Sequence, residues 1–444
     1  PLPYTTILHH APGWTLFRDV YMSNGTLLIL TPDRDTPNHL DFIKRIPEFR
    51  MVTSTGLPAS PGNEAEREPT ERDMAFITSK DAQENWGTLK TNGKGETKLI
   101  GHRVLSVSGS TLLPNDPPQF LKHYYHLVAE LFLGVQAFWY GTFAGNATPL
   151  SVQDYKPFSD SPSSNSFVLR QQSGSEGWRD VLGFNAFFLR TTFPEMAIEG
   201  EEDWVDRVRA TSGSSGAHHI PLLLLTDRSA AFRETMCGSR SQRTASEAWE
   251  YMRGRGLLAK SEEGKEKMEV RERIWTVAGF RKGVAASDVV QVHGIAGQGH
   301  KGIDAEGSRA LALVNKAWKR LVRRQWEFVF MELEKIGRDE QIRVAAKTDI
   351  LVSIHGNGLS HLVFMQPSPV ATVIGIFYPG GYAHDYSWTT RALGMEWWGI
   401  WKDESFTHPH KPWVEYPEGF HGEDIPVNGD TAAKLVERRI DDKI

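Results

Sequence analysis

Apolar runs and helical patterns alternate along the second half of the chain. Strands are predicted at five short runs, IPLLLLT, DVVQVHG, DILVSI, ATVIGIFY and MEWWGIW, because short continuous apolar segments suit strands covered on both faces. Helices are predicted at SRALALVNKAWKRLVRRQWEFVFMELEKI, LSHLVFM and HDYSWTTRALG. Strands that alternate with helices favour a parallel sheet with right-handed crossovers, so we expect an α/β, Rossmann-like domain here.

The first half of the chain begins with strand signals and then becomes helical. A short buried strand is predicted at residues 25–32, and ETKLIGHRVLSVSGSTLL carries further strand signals. Between them, residues 55–73 are polar and rich in proline and glutamate, which predicts a mobile surface loop. Apolar residues recur at helical spacing over residues 119–139, and DVLGFNAFFLRTTFP resumes that pattern.

The length of the chain predicts more than one domain. A chain of 444 residues is long for a single hydrophobic core, so about two domains are expected. The glycine- and serine-rich segment RATSGSSGAHH, residues 209–219, interrupts the apolar pattern and marks a boundary. We therefore predict an N-terminal domain at residues 1–214 and a C-terminal domain at residues 215–444, with a C-terminal tail that packs back on the first domain.

The composition is that of an ordinary soluble globular protein. Hydrophobic residues make up 40% of the chain, charged residues make up 24%, and the formal net charge is -5. This balance gives no reason to expect a nucleic-acid partner. Cys237 is the only cysteine in the sequence, so neither an internal disulfide framework nor a cysteine-rich zinc site can form.

Several features favour the secretory pathway. N-glycosylation sequons begin at Asn24 and Asn146. The chain has no apolar run of membrane-spanning length and begins at Pro1 rather than Met, so we expect that a preceding segment has been removed. We predict a location in the Golgi or endoplasmic reticulum lumen. The full-length protein would be a type II membrane protein, attached only through an N-terminal anchor absent from this chain.

The stretch DILVSIHGNGLSHLVFM joins a predicted strand to a predicted helix through His355 and a Gly356-Asn357-Gly358 turn. A helix N-terminus with glycines that permit close approach binds anions, and it suits the pyrophosphate of a nucleotide. His355 can add a hydrogen bond or a positive charge to the same oxygens. The alternative is a plain strand-to-helix turn that uses asparagine and glycine for their backbone angles.

The longer segment EQIRVAAKTDILVSIHGNGLSHLVFMQPSPVATVIGIF resembles the signature of glycosyltransferase family 61. In that signature a strand runs into a His-Gly-Ala-Gly-Leu turn, an apolar helix and another strand. The segment is also similar to the family's branches of EGF-domain O-GlcNAc transferases and β-1,2-xylosyltransferases. Upstream, HYYHLVAELFLG resembles the family's helix with a histidine and, four residues later, an acidic residue, and LLLLTDRSAAFR resembles its strand that ends in an arginine.

The resemblance implies an α/β fold of the GT-B type, with two Rossmann-like domains facing an interdomain cleft. The C-terminal domain would bind the donor. The implied reaction is an inverting transfer of xylose or N-acetylglucosamine from a UDP-sugar to a hydroxyl of a glycan or glycoprotein acceptor. The UDP-sugar is the donor substrate, and the resemblance implies no metal or other cofactor.

The resemblance also assigns donor-binding candidates position by position. His355, Gly356, Gly358 and Leu359 occupy the signature turn. Asn357 stands where the family usually has alanine, and it adds a polar side chain to the donor-binding turn. After the following strand the family often has a glutamate, whereas this chain has Gly375 or Ile376, so a ribose-binding carboxylate is not expected there.

His126 and Glu130 are the candidate catalytic residues. They lie four residues apart on the predicted helix and therefore share one face. Inverting transfer needs a base for the acceptor proton, and either side chain fits, or Glu130 orients the His126 imidazole. The alternative is a structural hydrogen bond that ties the helix to its neighbour. His123 is a third potential metal ligand, but a metal site there lacks a further carboxylate.

Arg228 and Arg233 are further donor-binding candidates. Arg228 follows the predicted strand IPLLLLT through Asp227, and Arg233 lies just beyond it. An arginine at the carboxyl end of a strand can neutralise a departing diphosphate, because its planar fork matches phosphate oxygens. The alternative is a salt bridge with Asp227 or another surface acid.

Two other motifs and one other class of protein compete with this interpretation. Residues 297–302 fit the glycine fingerprint of a nicotinamide-dependent oxidoreductase, without a well-placed acidic residue downstream. Asp33-Arg34-Asp35 matches a metal-binding Asp-x-Asp pattern, although its context favours a turn. The missing acidic residue near Gly375 would also suit a non-catalytic sugar-binding or scaffold protein on the same fold.

Overall fold

The computed structural model describes residues 1–58, 60, 62–144, 166–168, 177–192, 196–214, 216–231, 291–296, 327–365, 368–420 and 425–441. The chain forms two compact units. Unit 1 consists of Pro1–His123, Phe138–Arg179 and Phe193–Ser241, and unit 2 consists of Tyr124–Ala137, Asp180–Thr192 and Gln242–Ile444.

Each unit therefore gathers segments that are distant in the sequence. Residues 124–137 and 180–192 belong to unit 2, although both precede the boundary predicted near residue 214. A segment joins the unit against which its apolar side chains pack, and composition along the chain does not record that partner. The domain ranges 1–214 and 215–444, and the return of the C-terminal tail, stay predictions.

Unit 1 contains a mixed sheet and a separate hairpin. Its strands are β1 (Thr6–Ala11), β2 (Trp14–Ser23), β3 (Thr26–Thr31), β4 (Met74–Thr78), β5 (Gly87–Thr91), β6 (Thr97–His102), β7 (Val104–Ser106), β8 (Ser110–Pro114), β9 (Ser166–Val168), β10 (Ala197–Glu199) and β11 (Ala217–Thr226). The main order is β10-β9-β8-β11-β2-β3-β4, with β1 beside β2 and β7 beside β11. Strands β5 and β6 form the hairpin.

The predicted strands of the first half are confirmed, but IPLLLLT lies in a different sheet from the one predicted. It forms part of β11, which runs antiparallel to β2 and parallel to β8 in unit 1. The side chains of Leu223, Leu224 and Leu225 are fully buried. A central strand that is buried on both faces has the same apolar pattern in either sheet, so the sequence could not assign it to one of them.

The helices of unit 1 cover and connect these strands. They are α1 (His39–Lys44), α2 (Phe49–Val52), α3 (Ser79–Trp86), α4 (Pro118–Leu121), α7 (Glu201–Ala210) and α8 (Arg228–Ala231). Helix α5 (Leu133–Ala144) begins in unit 2 and ends in unit 1. The predicted loop at residues 55–73 is irregular apart from a 3-10 turn at Ala65–Arg67, and its mobility stays a prediction.

Unit 2 contains a largely parallel sheet. Its strands are β12 (Gln291–Ala296), β13 (Glu327–Glu332), β14 (Ile350–Ile354), β15 (Thr372–Ile376), β16 (Glu396–Trp401) and β17 (Glu404–Phe406). Their order is β13-β12-β14-β15-β16-β17, and only β17 runs antiparallel to its neighbour among these strands. The parallel sheet predicted from the alternating pattern is confirmed. The first five strands follow the doubly wound order in which the connections change direction between β12 and β14.

The helical elements of unit 2 include one correction to the prediction. They are a π-helix (His126–Phe132), α6 (Phe184–Thr192), α9 (Arg338–Lys347), a 3-10 helix (Asn357–Phe364), α10 (Asp385–Ala392) and α11 (Gly429–Ile440). The long helix predicted over residues 308–336 is wrong at residues 327–332, which form β13. Its EFVFME sequence is rich in β-formers, and the neighbouring helical spacing obscured this short strand.

The helix predicted at residues 119–139 is divided into α4, the π-helix and α5. Apolar spacing does not distinguish the hydrogen bonding of a π-helix from that of an α-helix, so it predicted a helix but not its type. In the part of the chain that the structure describes, no helix is both long enough and apolar enough to cross a membrane.

Candidate active site

A histidine and a carboxylate are paired on the π-helix of unit 2. His126 Nδ1 lies 2.8 Å from Glu130 Oε2. The Glu130 side chain is 2% exposed, whereas the His126 side chain is 24% exposed. The π-helix is consistent with a functional site, since π-helical turns are frequent at the functional sites of proteins. The shared face predicted for the two residues is confirmed, and the buried carboxylate is placed to orient the more accessible imidazole.

A second carboxylate interacts with this pair. Asp385 is the first residue of α10, and its side chain is partly buried. Burial, together with the negative charge of Glu130, raises the pKa of Asp385 from 3.8 to about 6, and His126 opposes the rise. A carboxyl group with a raised pKa beside a histidine-carboxylate pair is typical of catalytic sites.

Tyrosines connect the π-helix to α10. The Tyr125 hydroxyl donates to Thr389 Oγ1 over 3.1 Å, because the Thr389 hydroxyl itself donates to the Asp385 carbonyl oxygen over 3.0 Å. The rings of Tyr125 and Tyr386 lie 4.6 Å apart. Burial raises the pKa of both phenols well above its ordinary value, so both stay neutral. These contacts hold Tyr125, the residue before His126, against the first two turns of α10.

His355 lies at the carboxyl end of β14, where its backbone N–H donates to the Ile376 carbonyl over 2.8 Å. Its ring stacks on Phe377 at 4.7 Å and meets Tyr386 edge-on at 5.3 Å. Phe420 lies 5.4 Å away on a further side. The imidazole is therefore fixed by aromatic neighbours. Through Tyr386 it contacts the same helix that carries Asp385.

The turn after His355 requires glycine. Gly356 has φ 153° and ψ -172°, which is a conformation adopted almost only by glycine. The 3-10 helix begins at Asn357, and the Ser360 hydroxyl donates to Asn357 Oδ1 over 3.0 Å. Asn357 thus uses its side-chain oxygen to brace the first turn of that helix, which gives a structural role to the residue that departs from the family signature.

The following residues anchor the turn in the core of unit 2. Gly358 and Leu359 are buried, and Leu359 has no exposed surface. Burial lowers the pKa of His361 to about 4, so its imidazole is neutral. His361 Nδ1 donates to the Gly358 carbonyl oxygen over 2.9 Å. The Leu359 side chain therefore packs in the core. Of this predicted donor-binding residue, only the backbone could contact a ligand.

Gly375 on β15 is enclosed by aromatic rings. A Cβ atom built there would lie 2.5 Å from Trp397 and 3.2 Å from Phe377. No side chain fits without moving these rings, because real Cβ contacts are longer than 3.0 Å. A glutamate at position 375 would therefore clash with these rings, which is a steric reason to expect no ribose-binding carboxylate there.

Arg228, the arginine candidate that the structure describes, lies in unit 1. Arg228, at the start of α8, pairs with Asp116 over 2.5 Å, and both side chains are buried. Its guanidinium also lies over the Phe120 ring at 5.2 Å. Asp116 is thus a buried acidic partner of Arg228, and it is neither Asp227 nor a surface acid. The role of Arg228 in donor binding stays a prediction, and Arg233 lies outside the described residues.

Asp385 and Tyr386 are the site residues that sequence reasoning missed. The pattern in HDYSWTTRALG predicts the helix correctly, but it marks no site residue within it. A usable signal was its position, since α10 follows β15, the neighbour of β14, and the carboxyl ends of adjacent parallel strands share one edge. Ligands of doubly wound sheets bind at that edge.

Of the two remaining motifs, only Asp33-Arg34-Asp35 lies in the described part of the chain. Asp33 Oδ1 accepts a hydrogen bond from the Lys80 N–H over 2.7 Å, and its carbonyl accepts one from the Thr36 N–H over 3.0 Å, which confirms the turn interpretation. Within the described ranges, no group of three or more histidine, cysteine, aspartate or glutamate residues could hold a metal ion. The glycine motif at residues 297–302 lies outside those ranges.

Comparison with known proteins gives one family. Residues 305–374 match the family model described as Glycosyltransferase 61, and this match supports membership of glycosyltransferase family 61. The matched range includes β14, His355 and the glycine turn, and it ends just before Gly375. A search among curated proteins found none that matches the chain. A match to this family indicates a glycosyltransferase.

Proposed function

We propose that this protein is an inverting glycosyltransferase that moves a sugar, xylose or N-acetylglucosamine, from a UDP-sugar to a hydroxyl of a glycan or glycoprotein. The family match supports glycosyl transfer in general. The observation that carries the finer proposal is the convergence of His126, Glu130 and His355 on the first turn of α10. We further propose a GT-B-type organisation in which unit 2 binds the donor.

In the proposed reaction His126 is the base and Glu130 is the residue that positions it. Glu130 accepts the Nδ1 proton of His126, which leaves Nε2 as the basic nitrogen of the neutral imidazole. His126 takes the proton of the acceptor hydroxyl while that oxygen bonds to the anomeric carbon. The bond from this carbon to the diphosphate oxygen breaks at the same time, and UDP leaves with the electron pair.

Asp385 adds a second carboxylate to the surroundings of His126 in this step. Above pH 6 its carboxyl group is ionised, and it attracts the imidazolium that forms during proton transfer. Its proximity to Glu130 concentrates negative charge where a positive charge develops. Preorganised charges of this kind are often a large part of catalysis.

The glycine turn supplies the proposed cradle for the diphosphate. The start of the 3-10 helix, next to Gly356, suits phosphate oxygens, because the backbone dipoles at a helix N-terminus favour anions. His355 would add a hydrogen bond at the same edge. The position between β12 and β14, where connections change direction, is the usual binding point in this sheet order.

A donor panel tests this proposal. UDP release would be measured with UDP-xylose, UDP-N-acetylglucosamine, UDP-glucose and UDP-galactose, each with and without a mixture of glycan acceptors. We expect acceptor-dependent UDP release with one donor, loss of it in His126→Ala, and no change on addition of EDTA. Acceptor-dependent release that persists undiminished in His126→Ala would remove this residue as the base.

A non-catalytic sugar-binding or scaffold protein is the second candidate, and Gly375 is the observation that favours it. The enclosure of this position by Trp397 and Phe377 leaves no room for the carboxylate that the family often has. On this alternative, UDP raises the melting temperature of the protein, while no donor in the panel is consumed. Turnover of any donor would exclude it.

We also propose that the protein acts in the secretory pathway, as the sequons at Asn24 and Asn146 suggest. Expression in a mammalian secretory host, followed by peptide-N-glycosidase treatment, would test this location. A mass decrease is expected, and Asn24→Gln with Asn146→Gln should abolish it.

A further inference from the structure

Unit 1 contains a cavity of about 340 Å³ beside the carboxyl end of β11. Its inner wall is formed by Thr53 and Ser54, which follow α2, and by Ser229 and Ala230 of α8. Arg67, in the 3-10 turn at Ala65–Arg67, lines the cavity as well. The volume is at the small end of the range for small-molecule sites, about 300–1,000 Å³.

The inner wall is rigid because a buried carboxylate joins its segments. Asp227 Oδ2 accepts hydrogen bonds from the Ser54 N–H over 2.5 Å, the Ser54 hydroxyl over 2.8 Å and the Asn115 side-chain amide over 2.9 Å. Asp227 Oδ1 accepts from the Ala230 N–H over 3.1 Å. The loop after α2 and the start of α8 are therefore held together before any ligand binds.

Two polar groups on residues that line the cavity, Arg67 Nε and Ser229 Oγ, lack hydrogen-bond partners among the described residues. Arg67 is 7% exposed, its Nε atom is buried without a hydrogen-bond partner, and none of the ion pairs among the described residues includes it. The Ser229 hydroxyl, on a residue that is 8% exposed, is likewise buried without a partner. Buried polar groups are almost always hydrogen-bonded, and an unpaired buried charge is especially unfavourable.

We propose that this cavity binds the oxyanion group of a small sugar derivative, through Arg67 and Ser229. The planar guanidinium of arginine matches the oxygens of a phosphate, sulfate or carboxylate, and a serine hydroxyl can donate to the same group. This ligand would satisfy both unpartnered groups. The site lies in unit 1, and the proposal does not depend on the proposed transferase activity.

The outer part of the cavity limits the charge of the ligand. Glu64 and Glu68 line it together with Arg50, and both Glu68 and Arg50 are exposed. Carboxylates near the entrance repel a polyanion but accept hydrogen bonds from sugar hydroxyls. A ligand with one oxyanion and several hydroxyls, such as a sugar phosphate or a sugar acid, fits both parts of the cavity.

Binding can be measured by calorimetry and by thermal unfolding at constant ionic strength. The probes are glucose 6-phosphate, glucuronate and inorganic phosphate, with glucose as the neutral control. We expect saturable binding and a higher melting temperature with glucose 6-phosphate or glucuronate, and none with glucose. Phosphate alone separates a requirement for the oxyanion from a requirement for the sugar. Equal effects of glucose, or no effect of any oxyanion, would overturn the proposal.

Variants assign the binding to this cavity. Arg67→Met should weaken binding at least tenfold, and Ser229→Ala should weaken it several-fold. Arg72→Met removes the same charge at an exposed position outside the cavity and should leave the affinity unchanged. Undiminished affinity in both cavity variants would place any binding elsewhere and refute the assignment.

The unliganded variant separates a binding role from a structural one. If Arg67 exists to bind a ligand, Arg67→Met removes an unpaired buried charge, so its melting temperature without ligand should be equal to or above that of the wild type. A lower melting temperature with unchanged affinity would make Arg67 structural. Where Arg67→Met does not fold, Ser229→Ala decides the proposal by the same comparison. All of these binding and unfolding measurements omit UDP-sugars, so their outcome is independent of transferase activity.

Discussion

Replacing Asp385 with asparagine should make the protein more stable and less active. Burial, reinforced by the charge of Glu130, raises the pKa of Asp385 from 3.8 to about 6 in the folded protein. The folded state therefore holds this proton more tightly than the unfolded state. The resulting stabilisation is complete below pH 3.8 and is lost as the pH rises through 6. Each unit of difference between the folded and unfolded pKa corresponds to about 1.4 kcal/mol, so the loss of stability at neutral pH amounts to about 3 kcal/mol.

The net gain from Asp385→Asn should be smaller than this figure. Asp385 begins α10, and a negative charge at a helix N-terminus stabilises the helix by about 0.3–1 kcal/mol. The side chain also keeps some contact with solvent, which screens its interactions. We therefore expect a gain of about 1–2 kcal/mol at pH 7.5. A gain of this size raises the melting temperature by about 2–8 °C in a domain of 150–250 residues.

The assay is thermal unfolding of both proteins between pH 4 and pH 8. The advantage of Asp385→Asn should be smallest near pH 4, grow towards pH 6 and stay constant above pH 7. Asp430→Asn is the matched control, because Asp430 is an exposed acid in the first turn of α11. It should lower stability slightly. A melting temperature of Asp385→Asn that falls at pH 7.5, or an advantage independent of pH, would refute the argument.

Three further predictions concern the same site. Glu130→Gln should lower kcat by about 10²–10⁴-fold with a small change in KM, as expected for loss of base positioning, and an unchanged kcat would exclude the role. His355→Ala should abolish the rise in melting temperature that UDP gives the wild type, whereas unchanged protection would remove His355 from the donor site. Gly356→Ala should destabilise unit 2 by about 1–3 kcal/mol in urea unfolding, since its backbone angles are nearly exclusive to glycine. An unchanged transition midpoint would refute this assignment.

Local patterns predicted the parts of the fold that depend on local sequence. The apolar runs that became β14, β15 and β16 are continuous because parallel strands are covered on both faces. The spacing of His126 and Glu130 predicted their shared face, because helical geometry alone determines it. These predictions needed no knowledge of the tertiary structure.

Predictions failed where the partner of a segment decides its structure. Residues 327–332 read as the end of a long helix, yet they pair with β12 as a parallel strand. IPLLLLT read as a strand correctly, but its neighbours are β2 and β8 rather than the strands of unit 2. In both cases the deciding contacts come from residues far away in the sequence, so a local apolar pattern could not supply them.

Contacts between residues distant in the sequence also explain why the sequence did not reveal Asp385. Its pKa is set by burial and by Glu130, which lies 255 residues earlier in the chain, so no local motif marks it. The sequence offered two candidates for the base and no means to choose between them. Glu130 is buried against His126 Nδ1, and a second carboxylate interacts with the pair. Because Glu130 engages Nδ1, the more exposed His126 keeps Nε2 for an acceptor hydroxyl, and this geometry is the reason why we propose His126 rather than Glu130 as the base.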